Sequence, residues 1–410
     1  MRARLSGARG WSVSRLTTRL REPRYLVYGL ILVIGLINVI SYTDFSHNAT
    51  SHAASTPGDA RYYIAMSKHT FARVPNPYAF RLLSPLVVHE LQKLPFLGLG
   101  SSWFLLTFVA TNLAVIVFFK LLRDHFKLGL FTSATLSIML ACTYNYTSYN
   151  YMDMWLVDPV NNLVYMLALY FALERRLALF MVTVVIGSIN KETAILLAPL
   201  YPILEWVRSG TWKQRVVVRS GVTTVAAVGL YLVFHALMLA KLGVAGYQFG
   251  SGINGHSVLD NIRFSLSLRQ NVEQAAIFGV FQFLWFVFGY GLYRLYKLRG
   301  MRHELFIVSA YFLAVALVGR LFATDTERVY VMMAPVVAGV AALIFDRFQS
   351  EQQRMWLWLL AFTYLALNFQ WMHGDAAWLT NVAALVAFIV ALEPAKLDYR
   401  KVFAVSAGRL

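Results

Sequence analysis

YLVYGLILVIGLINVISY, residues 25–42, runs for eighteen residues without a charged side chain, and seven arginines precede it at Arg2, Arg4, Arg9, Arg15, Arg19, Arg21 and Arg24. A helix crossing the hydrocarbon core needs about 20 mainly apolar residues, whereas the apolar core of a secretory signal spans only about 7–15. The stretch therefore reads as a retained first membrane span, and its arginine-rich flank marks the cytoplasmic side. Further apolar runs follow at 102–122, 128–142, 157–173, 177–189, 193–207, 216–240, 275–296, 304–318, 329–345, 355–370 and 377–393. The expected fold is all-α, a polytopic transmembrane helical bundle of about twelve membrane segments forming one integral membrane domain over 1–410. The shorter runs suit tilted, broken or re-entrant helices.

Composition agrees. Of 410 residues 58% are hydrophobic and 14% charged, against about 45–50% and 25% in soluble domains. The formal charge of +17 would suit a nucleic-acid partner only if a water-facing domain carried a basic stripe, and the sequence contains no such domain. With the N-terminus inside, the cytoplasmic segments are 1–24, 120–127, 174–176, 208–219, 294–303, 346–354 and the tail 394–410. They hold 26 of the 37 Lys and Arg, a bias that predicts an even number of crossings with both termini inside. Cys142 is the sole cysteine, which excludes an intramolecular disulfide and Cys-based zinc motifs.

Two external loops are long, 43–101 and 241–274, and loops of that length in a compact bundle carry function or helices of their own. In the first, "RYYIAMSKHTF" (61–71) and "RLLSPLVVHELQKL" (81–94) predict helices lying in the membrane interface. Asp59, after Pro57 and Gly58, stands where an N-cap is expected.

Charges at the ends of membrane spans are costly unless paired or used, and here they gather in four external clusters. One holds Asp59, Arg61, Tyr62, Tyr63, Lys68, His69 and Arg81; a second holds Asp153 and Asp158, the latter just before Pro159; a third is Lys191 with Glu192; the fourth is Arg320, Asp325, Glu327 and Arg328. A carboxylate near several cations at that boundary suits transfer of a sugar from a lipid-linked phosphosugar. The carboxylate takes the acceptor's proton, and the cations hold the phosphate as it leaves. Each cluster also has a plainer reading. Asp59 can cap a helix, Lys191 and Glu192 can pair with each other, the fourth cluster can be an ion-pair network, and Asp153 reads as solvated. His47, His52 and His69 match no metal-ligand spacing.

"GDARYYIAM" (58–66) after a first span resembles the Asp-Glu-x-Arg-Tyr segment in the first external loop of the lipid A aminoarabinose transferases and protein O-mannosyltransferases, members of the membrane-embedded GT-C glycosyltransferases. "PYAFRLLSPLV" (77–87), "NKETAILLAPL" (190–200) and "DTERVYVMMAPVV" (325–337) are similar to segments of bacterial membrane proteins grouped with that superfamily. The resemblance covers four loops and the hydropathy pattern. It implies transfer from a polyprenyl-phosphate sugar to a glycan, lipid or protein acceptor at the periplasmic face of a bacterial inner membrane, with Asp59 as catalytic base. Ala60 replaces the family's second acid, which weighs against a metal or paired-acid role. The implied donor-phosphate ligands are Arg61, Arg81, Lys191, Arg320 and Arg328, with Tyr62, Asp158, Glu192, Asp325 and Glu327 as substrate or structural partners. No cofactor beyond the lipid-linked donor is implied. Two alternatives share the architecture: a secondary transporter or lipid flippase, and an O-antigen-type polymerase or ligase. A transporter would place polar residues at midplane in related halves, and neither feature is visible here.

Overall fold

The computed structural model describes residues 23–46, 49, 58–71, 74, 75, 77–242, 263, 280, 281, 284–322 and 326–345. Among these every regular element is helical. The runs at 355–370 and 377–393, most of the loop 241–274 and the tail 394–410 lie outside the described residues.

Helix α1 (Pro23–Tyr42) shows how the sequence makes a lipid-facing element. Val27, Ile31, Ile34, Asn38 and Tyr42 form a buried stripe at the three-to-four-residue spacing of one helix face. Leu26 (68% exposed) and Ile40 (82%) lie off that stripe, a placement that costs nothing in hydrocarbon. The stripe packs on α4 (Leu99–Lys120), whose last turn widens into a π-helical segment at Leu121–His125, and on α5 (Leu130–Ala141). Two buried amides bond across helices: Asn38 Nδ2 donates to the Ala141 carbonyl at 2.8 Å and Asn112 Nδ2 to the Tyr151 hydroxyl at 3.1 Å.

Between α1 and α4, the two amphipathic stretches of the first loop form short helices, α2 (Ala60–Ser67) and α3 (Leu83–Leu91). Their buried faces make a satellite core, in which Tyr63, Ile64, Met66 and Val88 meet Trp103 and Trp155. The one-turn α6 (Tyr149–Met152) leads into α7 (Asp158–Leu173), which lies against α4 and against α8 (Leu177–Asn190). The run expected at 193–207 is not one helix. A 3₁₀ segment at Glu192–Leu197 gives way after Pro199 to α9 (Leu200–Ser209), because proline cannot donate the hydrogen bond that a continuous helix would need there.

The remainder comprises α10 (Arg215–Leu242), α11 (Leu284–Arg299), α12 (Glu304–Phe322), the short α13 (Thr326–Tyr330) and α14 (Ala334–Phe345). Every residue of α14 is buried, and its small residues Ala338, Gly339, Ala341 and Ala342 permit the close helix approach that holds bundles together in lipid. Among the described residues four segments are long and apolar enough to cross a bilayer, Pro23–Tyr42, Leu99–His125, Arg215–Lys241 and Arg328–Phe345, and three shorter apolar helices accompany them. The chain is an integral membrane protein. At the end where α7 and α9 finish, Arg208 ties the bundle together. It bonds Glu205 and Glu304, both at 2.6 Å, and donates to the carbonyls of Ala172 and Leu173.

Candidate active site at the opposite end of the bundle

Four stretches distant in sequence meet where α7 begins. Pro159 at the first turn of α7 pre-sets the helical backbone and places Asp158 at the positive end of the helix dipole. α8 ends at Asn190, and Lys191 takes an extended conformation (φ −154°, ψ 128°) before the 3₁₀ turn begins. That break aims Lys191 and Glu192 at different partners. Lys191 Nζ donates to Asp158 Oδ1 at 2.6 Å, whereas Glu192 receives Arg81 in a two-pronged pair, Nε to Oε2 at 2.9 Å and Nη2 to Oε1 at 2.5 Å. The two neighbours neither pair with each other nor cap the following helix with a side chain.

Arg81 follows a 3₁₀ turn at Tyr78–Phe80 and is buried. Its Nη1 donates to the Tyr63 hydroxyl at 2.9 Å, and its guanidinium lies 5.3 Å from the Tyr78 ring centroid. Backbone and side-chain bonds stitch this loop to the end of α8. Leu82 N–H donates to the Ile189 carbonyl at 2.8 Å, Ser84 Oγ to Asn190 Oδ1 at 2.5 Å, and Asn190 Nδ2 to the Val157 carbonyl at 2.9 Å. Burial works against charge on Glu192, yet Arg81 holds its carboxyl below the usual range. Burial likewise opposes charge on Arg81, and Glu192 with Tyr63 keeps it firmly protonated.

From α13, Arg328 Nε donates to Asp158 Oδ2 at 3.1 Å and Nη2 reaches the same oxygen, while Nη1 stands 3.7 Å from Asp59 Oδ2. Asp59 heads α2 without capping it: its backbone is already helical and its side chain makes no cap bond. The carboxylate faces Arg328 and the Tyr78 hydroxyl instead. Tyr78 stacks on Tyr62 at 4.9 Å, and burial followed by the Asp59 charge pushes its hydroxyl upward.

Asp59, Arg81, Asp158, Lys191, Glu192 and Arg328 thus come together, with Tyr62 at the margin. Arg61 is exposed and turns to its own neighbour, donating to the Tyr62 hydroxyl at 2.7 Å. The backbones of Arg320 and Glu327 are helical, but their side chains and all of Asp325 lie outside the described residues. Three participants were given no role in the site from sequence: Tyr63 and Asp153, which were named only as members of their clusters, and Tyr78. Tyr78 carried a signal, standing three residues before Arg81 in the same motif. Asp153 is not freely solvated. Burial raises its carboxyl, Arg328 opposes that, and the Trp155 N–H donates to it. Among the described residues no group of three or more His, Cys, Asp or Glu side chains is arranged to hold a metal ion.

No protein-family model matches the chain, and no curated protein sequence does. Among solved structures, ArnT from Cupriavidus metallidurans in its apo state is similar over 97% of this chain and 75% of that one, with a TM-score of 0.51 at 14% identity. A likeness at that identity speaks for the fold alone. The fold is the one shared with ArnT.

Proposed function

We propose that the protein is a GT-C glycosyltransferase that moves a sugar from a polyprenyl-phosphate donor to a glycan, lipid or protein acceptor at the periplasmic face of the membrane. The observation that carries this reading is the single cluster in which Asp59, freed from capping, faces Arg328 while Arg328 and Lys191 share Asp158. The acceptor hydroxyl or amine attacks the anomeric carbon, forming the new glycosidic bond. The bond from that carbon to the phosphate oxygen breaks, and its electron pair leaves on the polyprenyl phosphate. The acceptor's proton passes to Asp59.

The charge balance suits that sequence. Lys191 and Arg328 face Asp158 and Asp59, two cations against two carboxylates. The donor phosphodiester carries one negative charge and the departing phosphate gains another. Protonation of Asp59 removes one carboxylate from Arg328 as that second charge develops, so the guanidinium is released toward the leaving group when it is needed. Arg81 with Glu192 acts one step removed, holding the tyrosine-lined wall of the site.

The test is turnover of radiolabelled polyprenyl-phosphate sugars by the purified protein. Asp59→Asn is expected to lower transfer roughly 10²–10⁴-fold, the usual contribution of a general base, with the protein still folded. Transfer by the variant at the wild-type rate would remove Asp59 as base. Failure of the wild type to consume any lipid-linked sugar would remove the glycosyltransferase reading itself.

A further inference from the structure

At the other end of the bundle, α1, α4 and α5 enclose a cleft of about 390 Å³ lined by Pro23, Arg24, Tyr28, Phe119, Lys120, Arg123, Asp124 and Leu130. Its distance from the acid–base cluster follows from α4. Trp103 packs against Trp155 beside the start of α7, and Lys120 lies seventeen residues further along, about 25 Å at 1.5 Å per residue. Three cations and one acid line the cleft. Lys120 is 3.6 Å from Asp124, and both are about half exposed, so that pair is weak. Arg123 donates through Nη1 to the Leu128 carbonyl, and Arg24 rests over the Tyr25 ring at 5.2 Å. The π-helical turn at Leu121–His125 breaks the regular α spacing where the basic residues gather, as such turns do at many binding sites.

The floor of the cleft is apolar and aromatic, with the rings of Tyr28 and Phe119 edge-to-face at 5.6 Å. Along α4 below it, on the helix face that carries Lys120, Leu113, Val109 and Leu105 are exposed, an apolar strip with no place in water. A cationic rim above a greasy strip matches an amphiphile whose anionic head sits in the cleft and whose chains run down the helix. We propose that this cleft binds the headgroup of an anionic phospholipid. The site is separate from the catalytic cluster and does not depend on the reaction assigned there.

Native mass spectrometry of the full-length protein tests it, with phosphatidylglycerol, phosphatidylcholine and inorganic phosphate each offered alone. The wild type is expected to retain phosphatidylglycerol in preference to phosphatidylcholine. A double Arg24→Gln, Lys120→Gln variant is expected to lose that preference by about thirtyfold, from roughly fivefold per basic residue near an anionic headgroup. A Lys213→Gln, Arg219→Gln variant, which removes two exposed cations from the same end of the bundle, should keep it. Arg24→Lys, Lys120→Arg should also keep it and guards against a folding defect in the first variant. Undiminished preference in the Gln variant, or equal loss in the Lys213 and Arg219 control, would overturn the site. Phosphate retained as well as phosphatidylglycerol would overturn its assignment to lipid.

Discussion

The buried charges of the cluster differ in what they are tied to, and that separates structural from chemical roles. Asp158 compensates both Lys191 and Arg328 inside the protein, so Asp158→Asn leaves Lys191 without its carboxylate and Arg328 with only the longer contact to Asp59. Breaking a buried pair costs about 3–5 kcal/mol, and the variant is expected to show a clear loss of thermal stability in detergent. Asp59 stands 3.7 Å from Arg328 and caps nothing, so Asp59→Asn should leave the melting temperature within a few degrees of wild type while transfer collapses. The Arg81–Glu192 pair adds a pH dependence. Arg81 holds Glu192 below its ordinary range in the folded protein, so the folded state binds that proton less readily than the unfolded chain. Its stabilising contribution is complete above the ordinary glutamate pKa and shrinks as pH falls toward the lowered one. A melting curve followed from pH 7 downward should decline in that acid window, and Glu192→Gln should flatten this part of the decline while lowering stability at neutral pH.

Between helices, packing is decided by a few close approaches. Gly187 of α8 faces Val164 of α7 so closely that a Cβ would collide with the valine side chain, with Ala194 at 3.2 Å also in the way. Gly187→Val is expected to destabilise the bundle by about 1–3 kcal/mol, the usual cost of overpacking. Gly229 of α10 has nothing within 4 Å of its added Cβ, and Gly229→Ala should be neutral or stabilising by up to about 1 kcal/mol. Thermal unfolding of the two variants side by side checks the contrast. The same scale explains what the sequence disclosed. Runs such as 25–42 and 102–122 announce their helices because hydrocarbon demands length and apolarity from every residue. The 193–207 run hid its break, since Ile195, Leu196 and Leu197 are as apolar in a 3₁₀ turn as in a helix and only Pro199 marked the change. Candidate cations could be named from their cost in the membrane, but not their partners. Nothing local in "NKET" says that adjacent Lys191 and Glu192 point at side chains 33 and 111 residues away. Tyr63 and Asp153 were given no role for the same reason, since a tyrosine in an interfacial helix and an aspartate in a loop look ordinary until the fold brings Arg81 and Arg328 to them.

Taken across the molecule, the two ends of the bundle are chemically unlike. One end holds carboxylates and cations locked in mutual pairs; the other holds the basic cleft at Arg24, Lys120 and Arg123 and the Arg208 cluster. The proposed topology, which rests on the concentration of Lys and Arg in cytoplasmic loops, puts the cleft inside and the acid–base cluster outside, where a lipid-linked sugar presented to the periplasmic leaflet would meet it. Cys142 offers a clean way to test that orientation. It is the sole cysteine and is buried, so Cys142→Ala provides a cysteine-free background at little structural risk. Lys68 and Lys213 are both exposed and stand at opposite ends, the first just after α2 and the second between α9 and α10. In intact bacterial cells expressing the protein, a membrane-impermeant maleimide should label Lys68→Cys directly and Lys213→Cys only after permeabilisation. The reverse pattern would turn the Asp59 cluster toward the cytoplasm, and with it the donor would have to come from the inner leaflet. Labelling therefore decides which leaflet supplies the substrate before any sugar has been identified.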